Sequence, residues 1–443
     1  MKIKLSDHFT YSKLLRFVFP SIIMMVFTSI YGVVDGLFVS NFAGKTAFAS
    51  INLVMPFVMI LGGIGFMIGT GGTALVSKVL GEGKKEKANE IFTMMIIFTL
   101  LLGALLSVIG VISMPWVSKF LGATEEMMAD CVLYGRIVTG FTVAFMLQNV
   151  FQSFLIAAEK PKLGLLATVL AGITNMALDA IFIIVFKWGV AGAAIATGLS
   201  QCVGGIFPLI YFLRKNSSLL RLTKTKLEIK PILSACGNGS SELMSNISSS
   251  VVSMIYNFQL MKYVGEDGVS AYGVLMYVQF IFVAIYIGYA IGCAPITGYH
   301  FGARNHNELK NMLRKSSFLS AVSGVVLTIL AIALSSPLAK IFVGYDKELY
   351  ELTRHAFRLF AYSFLLAGFN IFTSSFFTAL NNGAVSAAIS FMRTLIFQTS
   401  SVLILPIFLG VDGIWWAITV AEFFAFILSL IFLFAKRKKY NYI

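Results

Sequence analysis

Residues 20–40 read PSIIMMVFTSIYGVVDGLFVS, an apolar run that is long enough to cross a bilayer as one helix although it contains Asp35. A carboxylate inside a membrane span costs about 2.5–3.5 kcal/mol on insertion scales. Thr28, Tyr31 and Asp35 are spaced i, i+3 and i+7, so they share one helical face, which we expect to turn inward. Asp35 is then either a structural carboxylate hydrogen-bonded to a neighbouring helix or, as we favour, a group that binds and releases a cation or proton.

Similar apolar runs recur along the whole chain. Of its 443 residues, 58% are hydrophobic and only 12% are charged, which excludes a soluble globular protein. Runs of about 18 or more apolar residues are typical of membrane-spanning helices. We therefore predict an all-α polytopic membrane protein with twelve transmembrane helices, near residues 14–40, 50–78, 91–113, 131–157, 163–186, 189–213, 232–263, 270–298, 316–343, 355–380, 384–409 and 413–435.

The residues within and between the spans argue against several functional classes. The four cysteines lack metal-ligand spacing and the four histidines lie in or near predicted loops, so no haem or zinc site is expected inside the membrane. The chain has no Walker A motif, which argues against ATP as the energy source. A membrane-embedded acyl or glycosyl transferase would need catalytic histidines or paired acids near a membrane face. We therefore expect no enzyme and no cofactor apart from a coupling ion.

The basic residues predict the orientation of the helices. Most of the 34 lysines and arginines lie in alternate segments, at residues 2–16, 78–87, 160–162, 214–230, 304–315 and 436–439. The opposite connections carry fewer basic residues and several acids, among them Glu125, Asp267 and Asp346. By the positive-inside rule, both termini are cytoplasmic. The net charge of +14 then reflects topology and attraction to anionic lipids, so no nucleic-acid partner is expected.

The chain also contains an internal repeat with an offset of 221–225 residues. Two of the matching blocks are Gly65-Phe-Met-Ile-Gly69 with Gly288-Tyr-Ala-Ile-Gly292, and Gly189-Val-Ala-Gly192 with Gly410-Val-Asp-Gly413. Six spans per repeat is an even number, so both repeats enter the membrane from the same side. We predict two pseudo-symmetric six-helix bundles around a central cleft, an N-lobe (1–220) and a C-lobe (221–443) joined by a cytoplasmic loop.

Polar residues of three N-lobe helices are expected to meet at one level of the membrane. Asn175 and Asp179 lie four residues apart in the fifth span, and Thr197 opens a polar stripe in the sixth. Asp35, Asp179 and Thr197 each lie roughly 8–12 Å from the outer end of their helix. Such oxygen ligands suit a hard monovalent cation such as Na+, whereas without one the two desolvated carboxylates would take up a proton. A static hydrogen-bonded network is the alternative.

The C-lobe carries a different polar pattern and no copy of the carboxylate pair. Glu242 and Asn246 follow helical spacing in the seventh span, and Gln279 and Tyr286 do so in the eighth. A carboxylate near aromatic side chains suits a lipophilic cation, so these four residues are candidates for binding a substrate. Polar stripes also form ordinary helix–helix contacts, which is the alternative.

In combination, these features resemble the multidrug and toxic compound extrusion (MATE) family, in its DinF/MepA-like bacterial branch. The resemblance covers essentially the whole chain and rests on the repeat and on four motifs: Pro20…Ile30-Tyr31-x3-Asp35, Gly81-Glu-Gly83 with its basic loop, Asn175-x3-Asp179, and Gly189-x2-Gly192…Thr197. It implies export of bulky, often cationic or amphipathic compounds, driven by inward H+ or Na+. It also implies a cation site formed by Asp35, Asn175, Asp179 and Thr197, with Tyr31 and Asn149 nearby.

Departures from the family pattern bear on the coupling. In other branches, acids of the seventh and later spans carry the coupling. This chain has Glu242 in the seventh span but no acid in its tenth span, which favours coupling in the N-lobe. Lipid-linked oligosaccharide flippases share the architecture, but their anionic substrates would need several basic residues in the cavity. Only Arg136 and Arg393 lie within spans, and we expect Arg393 to form a structural ion pair with Glu422 at mid-depth of the next antiparallel span.

The residues and the resemblance together predict a secondary active antiporter that works by alternating access in a bacterial plasma membrane. The expected partners are small amphipathic or cationic substrates and membrane lipids. An internally duplicated transporter needs no second subunit, so a monomer is expected. Both H+ and Na+ remain open as the coupling ion, and the flippase is the alternative function.

Overall fold

The computed structural model describes residues 3–442, and these residues form helices joined by short connections, with no strand among them. In chain order the helices are α1 (Tyr11–Phe42), α2 (Lys45–Gly81), α3 (Lys85–Phe120), α4 (Glu125–Gly140), α5 (Thr142–Ala157), α6 (Pro161–Asp179), α7 (Gly189–Leu213), α8 (Ile229–Tyr263), α9 (Glu266–Gly302), α10 (His306–Val343), α11 (Lys347–Phe360), α12 (Phe364–Ala379), α13 (Gly383–Phe391), α14 (Gln398–Leu409) and α15 (Val411–Tyr440). The residues of the chain ends that fall outside this range include Lys2, one of the basic residues in the orientation argument.

Several spans are not uniform α-helices. Helix α4 meets α5 at a bend of 54°. Helix α6 continues into a π-helical turn at Ala180–Val185, and α13 is joined to α14 by a second one at Met392–Phe397. A 3-10 turn at Ala361–Ser363 joins α11 to α12. Such interruptions are tolerated in membrane spans where neighbouring helices satisfy the freed backbone groups.

The prediction of twelve spans is only partly reproduced. Ten helical units in the described part of the chain are long and apolar enough to cross a membrane, and the bent pair α4–α5 raises the number to eleven. Helix α8, which contains the predicted seventh span, is not among them although it has 35 residues. Its sequence carries many Ser and Asn residues together with Glu242. Because α8 packs against α2, α9 and α13, much of its surface contacts protein, where polar residues are tolerated better than in lipid.

The backbone of the second half (α8–α15) repeats that of the first half (α1–α7). Positions with positive φ recur 221 or 222 residues apart: Gly44 with Gly265, Gly83 with Arg304, Glu159 with Asn381, and Gly189 with Gly410. The left-handed conformation is uncommon for residues other than glycine, so its recurrence at equivalent turns reflects a shared chain path. Both members of each pair end a helix or begin the next one.

The two halves touch backbone to backbone along glycine contacts. A Cβ atom on Gly81 of α2 would lie 1.9 Å from the carbonyl oxygen of Tyr299 in α9, and one on Gly302 would lie 1.9 Å from that of Lys78. Each member of this reciprocal contact is 221 residues from its counterpart, as a pseudo-twofold axis requires. The halves are therefore closed against each other at this end of α2 and α9.

Both ends of the described chain and the connections at 82–84, 158–160, 214–228 and 303–305 meet at this end of the bundle. We call it the basic face, because most of the lysines and arginines lie in or beside these segments. The Leu5 amide donates to the carboxylate of Glu159 (3.0 Å), and the Leu219 amide donates to the carbonyl of Ala158 (3.4 Å). The ring of His306 contacts the carbonyl of Tyr440 at 3.2 Å. Helices such as α9, with 37 residues or about 55 Å, extend past a hydrocarbon core of about 30 Å.

The connection between the halves is docked onto the first half. The amide of Arg221 donates to the side chain of Asn89 (3.0 Å), and the amide of Thr223 donates to the hydroxyl of Thr93 (3.0 Å). Both acceptors lie on α3 and are buried, as is Leu220 of the connection. The docked segment thus extends to residue 223, three residues past the predicted lobe boundary.

Candidate functional site

Helices α1 and α6 approach each other closely where the polar face of α1 lies. A Cβ atom on Gly172 of α6 would lie 2.4 Å from the ring of Phe27 and 2.8 Å from the ring of Tyr31. Asn175 and Asp179 follow Gly172 by one and two helical turns, so the contact directs both toward α1. Helix α7 packs against α6 and contributes Thr197.

This packing brings the predicted acids together. The carboxyl group of Asp35 lies beside the carboxyl group of Asp179 and the side-chain amide of Asn175. Asp179 is 0% exposed. Five buried oxygens of four side chains have no hydrogen-bond partner among the protein atoms: Oδ1 of Asp35, Oδ1 of Asn175, Oδ1 and Oδ2 of Asp179, and Oγ1 of Thr197. Buried polar atoms are almost always paired, so a cluster of partnerless acceptors indicates a site for a positive charge.

The donor set suits either a proton or a hard monovalent cation. Two buried carboxylates without a counter-charge would cost several kcal/mol, so they require a shared proton or a bound cation. Carboxylate, amide and hydroxyl oxygens are ligands for hard cations such as Na+. Within residues 3–442, no group of three His, Cys, Asp or Glu side chains is arranged to hold a metal ion. The chemistry of the arrangement therefore fits a bound proton or a bound Na+ ion.

Two tyrosines and a glutamine surround this acid pair. The amide of Gln148 on α5 approaches the hydroxyl of Tyr31 (3.5 Å), and the Tyr134 side chain on α4 lies near Thr197, within electrostatic range of both carboxyls. Sequence reasoning named Tyr31 but neither Gln148 nor Tyr134. No feature of the sequence singles out Tyr134, because its helix also contains Asp130 and Arg136.

Asn149, which the family resemblance brought to this site, has a different partner. Its side-chain amide donates to the carbonyl oxygen of Gly62 on α2 (3.1 Å), and it is only 3% exposed. The contact joins α5 to α2 beside Gly65, where an added Cβ would lie 3.3 Å from Asn149. In this conformation the α5 residue that reaches Tyr31 is Gln148.

A surface pocket of about 390 Å³ lies on the face opposite the basic face, above the acid pair. It is lined by the ends of α1, α4 and α7, including Ala43, Asp130, Lys187 and Val190. Asp130 precedes Tyr134 by one helical turn, and Ala43 is eight residues, or roughly 12 Å, from Asp35. The acid pair is thus nearer to this face than to the basic face.

Substituting valine for Gly172 tests the α1–α6 contact directly. The added side chain would overlap the rings of Phe27 and Tyr31. We therefore expect the free energy of unfolding to fall by about 1–3 kcal/mol and the affinity of the acid pair for a cation to fall as well. The thermal unfolding midpoint in detergent measures the first effect. Gly32→Val in α1 is the matched control, because nothing lies within 4 Å of a Cβ at that position. Equal midpoints for the two variants would contradict the importance of the contact.

The second half contains the predicted ion pair between Arg393 and Glu422. The guanidinium Nη2 lies 2.8 Å from Oε1 of Glu422, and its Nε lies 2.9 and 3.0 Å from the two carboxylate oxygens. The amide of Asn370 donates to Oε2 of Glu422 at 2.7 Å, and the hydroxyl of Ser429 donates to Asn370. Arg393 lies in the π-helical turn between α13 and α14.

Three of the four candidate substrate residues are half-buried, and the fourth is buried. Glu242 is half-buried on α8 with the Arg393 charge nearby, and Asn246 faces Gly63 of α2 at the contact between the halves. Gln279 is half-buried on α9. Tyr286, the fourth candidate, is buried in this conformation. Its side chain is 4% exposed in the core of the second half, because it packs on Gly368 and donates its hydroxyl hydrogen to the Phe364 carbonyl (2.8 Å).

Comparison with known proteins decides the family. The MatE family model matches residues 20–181 and 243–401, which together make up more than half of the chain. The chain belongs to the MatE family. The two matched segments fall in the first and second halves, and the first contains Asp35, Asn175 and Asp179. The positions that match Asp35 and Asp179 in the second half lie near Phe258, which is 71% exposed, and at Ser401. This MatE chain therefore has one carboxylate pair of this kind in its described residues.

The relatives of this MatE chain match it over nearly their full length. It is 24% identical over 440 residues to multidrug export protein MepA of Staphylococcus saprophyticus, covering 96% of this chain and 94% of that protein. It is 23% identical over 435 residues to MepA of Staphylococcus aureus strain MSSA476, covering 97% and 94%. The solved outward-facing structure of a multidrug resistance MATE family transporter of the MOP superfamily superposes with a TM-score of 0.93 at 22% identity, covering 98% of each chain. This likeness confirms the fold of the MatE chain.

Proposed function

We propose that this chain is a secondary active antiporter that exports bulky amphipathic or cationic compounds in exchange for H+ or Na+. The observation that carries the proposal is the cluster of partnerless buried oxygens shared by Asp35, Asn175, Asp179 and Thr197. A MatE chain with such a cluster in one half has a built-in position for a coupling ion. The multidrug export names of the staphylococcal relatives support the substrate class.

The exchange follows from competition between two states of the acid pair. The drug occupies the cleft between the lobes while Asp35 and Asp179 lack a cation. Entry of H+ or Na+ from the outside neutralises the pair and changes the packing of α1, which displaces the drug outward and closes the outer mouth. Only a ligand that binds one conformation better than the other can drive such a change, and the acid pair supplies that difference.

The available energy is sufficient for drug export. One positive charge that moves down a membrane potential of about 150 mV releases about 3.5 kcal/mol. By the tenfold per 1.4 kcal/mol relation, this supports a gradient of a few hundredfold for a neutral substrate exchanged one for one.

The same proposal fixes the cellular arrangement. We place the protein in a bacterial plasma membrane as a monomer, with the basic face and both termini in the cytoplasm. Residues 1–220 and 221–443 then act as the N-lobe and the C-lobe, which rock about the cleft. Glu242, Asn246 and Gln279 are the proposed C-lobe contacts for the drug, since they lie on α8 and α9 and are not fully buried.

The flippase alternative receives no support from the two arginines on which it would depend. The Arg136 guanidinium donates to the carbonyl of Val111 on the neighbouring helix (3.2 Å), and Arg393 is paired with Glu422. Only Arg136 therefore keeps an unpaired charge, and a single guanidinium is fewer than the several basic residues that a pyrophosphate would need.

A release assay in proteoliposomes tests the proposal. The purified chain is reconstituted with an internal fluorescent lipophilic cation, and an H+ gradient and an Na+ gradient are imposed separately. We expect one of the gradients to accelerate movement of the dye at least severalfold over protein-free vesicles. If neither gradient changes the rate while the protein is correctly inserted, the antiporter proposal is wrong. Release driven by each gradient in turn would show that either ion can drive the exchange.

A further inference from the structure

A short segment ahead of α1 connects the first half to the second half on the basic face. We call residues 4–9 the strap. Leu5 and Phe9 of the strap are both 0% exposed, and they belong to the apolar cluster that contains Leu309 and Leu313 of α10. The strap is therefore packed against the second half although the chain continues directly into α1 of the first half.

The backbone of Phe9 is held by side chains of α10. Its amide donates to Oε1 of Glu308 (2.9 Å), and its carbonyl accepts from Nδ2 of Asn311 (3.0 Å) and from Nζ of Lys315. These three α10 residues are spaced i, i+3 and i+7, so they line one face of the helix. One peptide position of the strap is thus bound on both its donor and its acceptor side.

Glu308 is the centre of this contact. Its side chain is 5% exposed and accepts from the Phe9 amide, from Asn311 (2.7 Å) and from the ring of His8, whose Nδ1 lies 2.7 Å from Oε2. A buried carboxylate is tolerated when several donors satisfy it, and hydrogen bonds to a charged group are about twice as strong as neutral ones. The antiporter scheme uses none of these residues.

We propose that the strap and Glu308 form a latch that holds the two halves together on the basic face. This inference rests on the proposed alternating access, in which that face must open in the second state of the cycle. The reciprocal contact of Gly81 and Gly302 shows the face closed, and the strap crosses from α1 to α10 at the same end. Opening the face moves α10 away from α1, so the bonds of Glu308 to Phe9 break or α1 follows α10.

The latch also links the lobe closure to the helix that carries the coupling carboxylate. Phe9 is two residues before the start of α1, and Phe9 packs on Phe17 of that helix with ring centroids 5.9 Å apart. A strap bound to Glu308 therefore fixes the basic end of α1 relative to the second half. A displacement of α1 by a cation at Asp35 would therefore strain the contact between the strap and Glu308.

Distance measurement between spin labels tests the latch without any gradient or substrate. Cysteines replace Lys85 at the start of α3 and Asn307 at the start of α10, both exposed on the basic face, in a chain whose four native cysteines are changed to alanine. In Glu308→Ala we expect the ratio of the population with the longer distance to the population with the shorter distance to rise about tenfold, since several charge-assisted bonds are lost. Glu308→Gln keeps the volume and part of the acceptor capacity, so its shift should be smaller.

Two further variants make the outcome decisive. Phe9→Ala changes no residue of α10. It should shift the distances in the same direction, because it removes a buried apolar side chain that holds the strap against α10. Glu86→Gln is the matched control, since it removes one exposed carboxylate from the same face and should leave the distances unchanged. Folded Glu308→Ala and Phe9→Ala proteins with wild-type distances would overturn the latch. Shifted distances in a protein that shows no cation-driven transport would instead retain the latch and reject the antiporter proposal.

Discussion

Replacing Asp35 by asparagine is expected to abolish cation-driven export while the protein still folds and binds drug. A unit charge at about 4 Å from a cation contributes about 4 kcal/mol at an effective dielectric constant near 20. Loss of that attraction corresponds to about three orders of magnitude in cation affinity. Asparagine keeps the size and a carbonyl oxygen of the side chain, so the packing of α1 against α6 is preserved.

The measurement is the initial rate of dye movement in proteoliposomes under the gradient that drives the wild-type chain. Asp179→Asn should have an effect of similar size, and the double variant should be little worse than either single one, because the two acids act as a unit. Asp267→Asn is the matched control, since it makes the same change at an exposed position. Full cation-driven export by Asp35→Asn at normal expression would contradict the coupling scheme.

The carboxylate pair was predictable because intramembrane acids are costly and therefore rare. Asp35, Asn175 and Asp179 stand out in apolar helices, and helix depth places Asp35, Asp179 and Thr197 at one level without any knowledge of the packing. What the sequence could not supply was the angular position of α4 and α5 around them. Gln148 and Asn149 are adjacent, and only the packing of α5 decides that the first approaches Tyr31 while the second binds Gly62.

The fold could be predicted more completely than the site. Hydropathy and the repeat offset are properties of long segments, so the loss of one span to the polar composition of α8 changes little. The π-helical turns at Ala180–Val185 and Met392–Phe397 follow no sequence signal that we recognise. The burial of Tyr286 was not predictable from the sequence. Period 3.6 identifies a face of α9, but it does not tell whether that face meets the cleft or the neighbouring α12.

Removing the carboxylate of Glu422 is expected to produce a large loss of stability in the second half. Glu422 is 2% exposed and Arg393 is 14% exposed, so Glu422→Met would leave a nearly buried guanidinium without its partner. Breaking a buried ion pair from one side costs about 3–5 kcal/mol. The amide of Asn370 would also lose its Oε2 acceptor. The thermal unfolding midpoint in detergent measures the loss.

The double variant Arg393→Met/Glu422→Met separates an unpaired charge from lost packing. Because buried pairs are often replaceable by apolar residues of similar volume, it should recover most of the stability lost in Glu422→Met. A double variant no more stable than the single one would show that the pair matters for its hydrogen bonds with Asn370 rather than for charge balance.

The remaining question is what Arg393 does when Glu422 is absent, and the position of Glu242 suggests an answer. The turn that carries Arg393 packs against α8, the helix that carries Glu242. In the Glu422→Met background, the guanidinium can therefore turn toward α8, and adding Glu242→Gln should lower stability further, whereas Glu242→Gln alone should change it little. An equal effect of Glu242→Gln in both backgrounds would show that Arg393 does not reach Glu242. Glu242 would then be left without a protein counter-charge and available to a cationic drug.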